Sequence, residues 1–96
     1  MPHTPETLEL EIEALLKKDQ AHQAVRVMED YAKSGFSFSD SLFYLWGNAY
    51  RKLGDIPAAM SLYAKAVQLN PDSPAKLALR AADRIMSFYN ENMFNQ

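Results

Sequence analysis

Three glutamates near the amino end, Glu6, Glu9 and Glu13, recur at three- and four-residue spacing, which on a helix lines their carboxylates along one face. Such a row could hold a cation or trade a proton. Acids in the first turns also offset the helix macrodipole, a role that needs no ligand, so the row reads as structural. The histidines do not change this: His22 has Gln23 and Arg26 for neighbours and His3 stands in an end expected to fray, so neither has a second ligand at metal spacing. No nucleophile stands beside a base, no glycine loop is shaped to cradle phosphate, and no H-E-x-x-H occurs. The chain is therefore expected to be no enzyme, with no catalytic residues, no metal and no cofactor.

Recognition is a different matter. Tyr44, Asn48 and Arg51/Lys52 recur at four and then three or four residues, so they share one exposed strip of a helix. Asn pairs with a backbone amide through a donor and an acceptor, and Arg forks onto carboxylate oxygens. The strip suits an extended peptide backbone carrying an acidic group.

Five helical patterns would position these residues. Thr4 can cap and Pro5 fits a first turn, after which Leu8, Ile12, Leu15 and Leu16 predict a helix over about 5–18. Asp19 reads as the cap of a second run, Ala21, Ala24, Val25, Met28 and Tyr31/Ala32, which Gly35 stops. After the link Phe36-Ser37-Phe38-Ser39, the residues Leu42, Phe43, Trp46, Tyr50 and Leu53 predict a third helix over about 40–53, ended by Gly54. Asp55 caps a fourth, with Ile56, Ala59, Met60, Tyr63, Ala66, Val67 and Leu69, which should end where Pro71 pushes Asn70 out of helical dihedrals. Ser73-Pro74 opens a longer fifth helix over about 74–91. Its expected core face is Leu77, Ala81, Ile85 and Phe88, flanked by Leu79, Ala82, Met86 and Tyr89, with a fraying tail in which Met93 and Phe94 could still pack.

Composition agrees with helices alone. Thirteen Ala and eleven Leu against three Val, three Ile and two Thr leave little for a sheet, and 96 residues make one domain spanning 1–96. Residues 1–39 carry seven acids and four bases, and residues 40–96 five acids and six bases, so the halves net -3 and +1. Neither has the dense basic stripe that nucleic acid requires. No secretory pattern opens the chain and no run is long and apolar enough for a membrane, so no membrane partner is expected and the cytoplasm is the expected compartment.

The third and fourth patterns carry a longer motif: Phe43-x2-Trp46-Gly47-x2-Tyr50, Gly54-Asp55, Ala59-x3-Tyr63-x2-Ala66 and Pro71. Residue by residue this resembles the tetratricopeptide repeat. Phe43, Trp46 and Tyr50 are expected to fill the gap to the partner helix, and Gly47 and Ala59 to be small because two backbones approach where they cross. A decayed copy lies 35 residues earlier, with Leu8, Leu15, Ala24 and Met28 standing for Phe43, Tyr50, Ala59 and Tyr63. There Ile12 replaces the glycine and Tyr31 the second alanine, so those helices should sit further apart. The expected architecture is all-α, a right-handed superhelical stack: a degenerate repeat over 5–39, a clear one over 40–73 and a capping helix over 74–91, similar to small stand-alone bacterial proteins of the family.

The resemblance implies a scaffold that binds a protein or peptide in a concave groove, assigned here to Ser41, Tyr44, Asn48, Arg51 and Lys52. It does not imply the family's carboxylate clamp, because Glu9 and Glu13 hold the positions that would need Asn and Lys. The alternative is self-assembly: Leu79, Met86, Tyr89 and Met93 form a second apolar stripe through which the last helix could build a homodimer. Phe36 and Phe38 have no place in the repeat pattern and are expected to plug the gap widened by Ile12, the alternative being that they stay exposed as a docking patch.

Overall fold

The computed structural model describes the backbone of residues 5–94 and the side chains of residues 6–89. The cap expected at Thr4, His3 and the packing of Met93 and Phe94 lie outside the described residues. Five helices follow one another, α1 (Pro5–Lys17), α2 (Ala21–Lys33), α3 (Asp40–Lys52), α4 (Ile56–Leu69) and α5 (Ala75–Phe94), with no strand among the described residues. The fold is all-α, two helical hairpins and a closing helix. The last helix runs to Phe94 rather than stopping near 91.

Local chemistry sets the breaks. Ser39 caps α3, its Oγ accepting from the Leu42 amide at 3.1 Å, and Asp55 caps α4 by accepting from the Ala58 amide at 3.2 Å. Gly54 takes φ 84° after α3, a left-handed turn that a side chain would strain. Between α1 and α2 the expected cap is corrected. Asp19 itself holds the left-handed turn at φ 64°, and Gln20 occupies the cap position without a side-chain bond. The missing glycine of the decayed hairpin therefore leaves Asp19 in a conformation that costs an L-residue about 1–2 kcal/mol. After α4, Asn70 is extended as Pro71 demands, and its amide donates to Asp40 at 3.1 Å, fastening the end of α4 to the start of α3.

The core has two buried clusters, joined through half-buried Tyr50. Leu8, Ile12 and Leu16 of α1 bury against Ala24, Val25 and Met28 of α2 and Leu42, Leu45 and Ala49 of α3. Ala59, Tyr63 and Ala66 of α4 bury with Ala75 of α5. Thus Ala24, Met28 and Tyr31 are buried in α2 where Ala59, Tyr63 and Ala66 are in α4. The helices of the first pair touch more sparsely than those of the second, as Ile12 and Tyr31 in place of small residues require.

Two packing expectations change. Phe43, Trp46 and Tyr50 are only half-buried, while Leu42, Leu45 and Ala49 take the sealed positions of α3. The aromatics form a ladder instead: Phe38 stacks on Phe43 at 4.9 Å and on Trp46 at 5.2 Å, and Trp46 lies 6.5 Å from Tyr50. Phe38 is half-buried among these rings and Tyr31, against the cluster that holds Ile12. Phe36 stacks on Tyr31 at 5.3 Å yet stays 55% exposed.

Gly47 is also small for a different reason. A Cβ there would lie 2.6 Å from Cε1 of Tyr63, so the space belongs to a ring reaching over from α4 and not to a second backbone.

The face of α5 is the largest correction. Ala75 and Ala82 are buried and Ala78, Leu79 and Met86 half-buried, whereas the expected core residues Leu77, Ala81, Ile85 and Phe88 are exposed, Leu77 by 70%. Buried Ser73 holds the start of the helix, its Oγ accepting from the Ala75 amide at 3.1 Å, and the alanines let α5 lie close on α4. Leu79, and with it part of the proposed dimer stripe, is therefore used inside the molecule.

Candidate binding groove

The strip on α3 sits between two hollows. One, of about 300 Å³, is lined by Glu13, Leu16 and Lys17 of α1 together with Leu45, Asn48, Arg51 and Lys52 of α3. The other, of about 340 Å³, is lined by Tyr44, Asn48 and Arg51 of α3 with Pro74, Leu77, Ala78 and Ala81 around the start of α5. Asn48 and Arg51 belong to both. Together the hollows make a shallow channel across α1, α3 and α5, with α3 as its middle rib.

Of the five residues expected on this surface, Tyr44, Asn48, Arg51 and Lys52 line it. Ser41 is exposed on the first turn of α3 but lines neither hollow. Residues outside the strip complete it. Leu77 and Ala81 were assigned to the core because their spacing matches a buried face equally well. Glu13 enters through its place opposite Asn48, and Glu9 is half-buried, its carboxylate accepting from the Ser39 hydroxyl at 3.3 Å. The acids of α1 are thus spread between a capping contact and a groove wall. Among the described residues no group of three or more His, Asp or Glu could hold a metal ion.

The floor is held by a residue that the strip pattern did not include. Tyr63, buried on α4, donates its hydroxyl to Oδ1 of Asn48 at 2.5 Å, and its ring lies 5.9 Å from that of Tyr44. Burial pushes the Tyr63 hydroxyl above its ordinary pKa, while a hydrogen bond and the charge of the nearby Arg51 draw it down. The bond holds Asn48 by its oxygen, so the middle rib carries an anchored amide beside the cations Arg51 and Lys52.

A further hollow lies over His22, Gln23, Arg26, Val27 and Asp30. All five belong to α2, so no second element closes it.

Comparison with known proteins fits this geometry. The family model for the TPR repeat matches residues 47–80, from the middle of α3 through α4 into α5. The solution NMR structure of the Bacteroides fragilis protein BF1650 is similar over 92% of this chain and 89% of its own, with a TM-score of 0.75 and 39% sequence identity. None of the curated proteins matches the chain.

Proposed function

Because the chain belongs to the tetratricopeptide-repeat family, whose hairpins serve protein–protein interaction, we propose that it is a non-catalytic adaptor that holds a protein or peptide in the channel across α1, α3 and α5. The observation that carries this reading is the convergence of two hollows on Asn48 and Arg51. Neither side chain is sealed in the core, and both bring hydrogen-bond donors to a concave surface. On this reading residues 5–39 are the decayed repeat, 40–73 the intact one and α5 the cap, and Arg51 and Lys52 receive an acidic group. No helix among the described residues is long and apolar enough to cross a membrane.

The test is selection of displayed random peptides on the wild-type protein, followed by counter-selection on Arg51→Glu/Lys52→Glu. Both residues are exposed, but they are the cations of the last turn of α3 and Arg51 bonds the Tyr63 hydroxyl, so the melting temperature should fall modestly and binding is compared where both proteins are folded. Enriched peptides should lose binding to the variant, and peptides that bind both proteins equally would defeat the assignment. Asn48→Ala is the poorer test, since it strands the Tyr63 hydroxyl and destabilises the fold by about 1–3 kcal/mol.

Self-association is a second reading, supported by the exposure of Leu77 and Ile85 on α5. It predicts a molar mass by light scattering that rises with concentration and falls back in Ile85→Glu.

A further inference from the structure

The exposed side of α5 continues the channel beyond α3. Ala75, Ala78 and Ala82 repeat on α5 the inward-facing register of Leu42, Leu45 and Ala49 on α3. In that register Leu77, Ala81 and Arg84/Ile85 follow Tyr44, Asn48 and Arg51/Lys52, and the hollow shared by Tyr44, Asn48, Leu77 and Ala81 shows the two strips side by side. Leu77 is 70% and Ile85 39% exposed, at helical spacing over more than two turns. The folded chain leaves this apolar area in water, Leu77 more than Ile85, and a partner that covered it would gain the hydrophobic stabilisation.

Charge selects the occupant. On the α3 side the trough is edged by Arg51. On the outer side of α5 the exposed cations Lys76, Arg80 and Arg84 outnumber the exposed acid among them, Asp83. An apolar strip with cations along both edges fits a helix whose apolar face is flanked by carboxylates. A second copy paired through α5 would set the same cations against each other.

We propose that the trough between α3 and α5 takes an acidic amphipathic helix from a partner protein, seated on Leu77, Ala81 and Ile85 with its carboxylates toward Arg51 and Arg84. The proposal rests on the adaptor reading above and names the chemistry of its ligand.

The probe is a capped, fluorescently labelled four-turn peptide with Leu at helical spacing, Glu on both flanks and Ala elsewhere. Two controls accompany it: the same peptide with Lys for Glu, and one of equal composition in which Leu and Glu alternate. Fluorescence anisotropy should show the acidic helix binding the full chain about tenfold or more tighter than either control, with the gap narrowing in added salt. Circular dichroism should show helix gained on mixing. Ile85→Glu should abolish binding with the chain still folded at the assay temperature, and Arg84→Glu should weaken it about tenfold with the melting temperature of the wild type. No binding, equal binding of the Lys or alternating peptide, or indifference to both substitutions would overturn the proposal. Binding of extended acidic peptides that depends on Arg51 and ignores Ile85 would overturn it while leaving the adaptor reading intact. A dimer dispersed by Ile85→Glu would overturn it in favour of a second copy.

Discussion

At Gly47 two opposing effects can be weighed. Alanine there would gain about 1 kcal/mol of helix propensity, but its Cβ would strike a fully buried ring that the bond to Asn48 holds in place. Overpacking of that kind costs about 1–3 kcal/mol, so Gly47→Ala should be destabilised in a urea titration, and a more stable variant would show that the ring can move. Tyr63→Phe should cost about 1 kcal/mol through the lost hydroxyl. The tyrosines also set a pH dependence. Burial first and the charge of Glu29 next push Tyr50 above 10.0, and burial pushes Tyr63 the same way. Both rings then keep their protons better folded than unfolded. Their contribution to stability is complete below pH 10.0 and is lost as pH rises through the raised folded values. Thermal melts should therefore fall in alkali and fall less steeply in Tyr50→Phe/Tyr63→Phe. The sequence places Gly47 and Tyr63 in the motif and Asn48 on the groove strip, but not their mutual contact, because a consensus records which positions are small or large and not which ones touch.

Among the helices, punctuation was legible wherever one residue decides it. Gly35, Gly54, Asp55 and Pro71 act locally, and each break falls where its backbone chemistry demands. Asp19 was misread because an acid suits both a cap and a left-handed turn. Asp19→Gly should therefore raise stability by about 0.5–1 kcal/mol while Gly54→Ala lowers it by about 1–2 kcal/mol, a contrast that paired thermal melts would check. If both changes were neutral, the turns would be less constrained than their dihedrals imply. The face of α5 was illegible for another reason. Its large apolar residues advertise a core, yet the seat on α4 accepts alanines, and the phase of the helix is set by that packing rather than by any local residue type. The groove strip on α3 was readable because its neighbours are committed to packing, whereas its partners on α1 and α5 depend on how three helices align.

The whole molecule is elongated, 53 × 27 × 22 Å, and its anchoring is uneven. Fully buried residues tie α5 down through Ala75 and Ala82, and past Met86 the side chains up to Tyr89 are exposed. Hydrogen exchange should accordingly show the amides after Met86 opening well before those of α4, and uniform protection along α5 would argue that something covers its far end. Another consequence reaches beyond one molecule. Since the Tyr63 ring crosses Gly47 to aim Asn48, no one of the three can be inherited freely: a side chain at 47 evicts the ring, and eviction releases the amide. Descendant sequences should drift independently at Ser41 and Lys52, but retain or exchange 47, 48 and 63 as a trio.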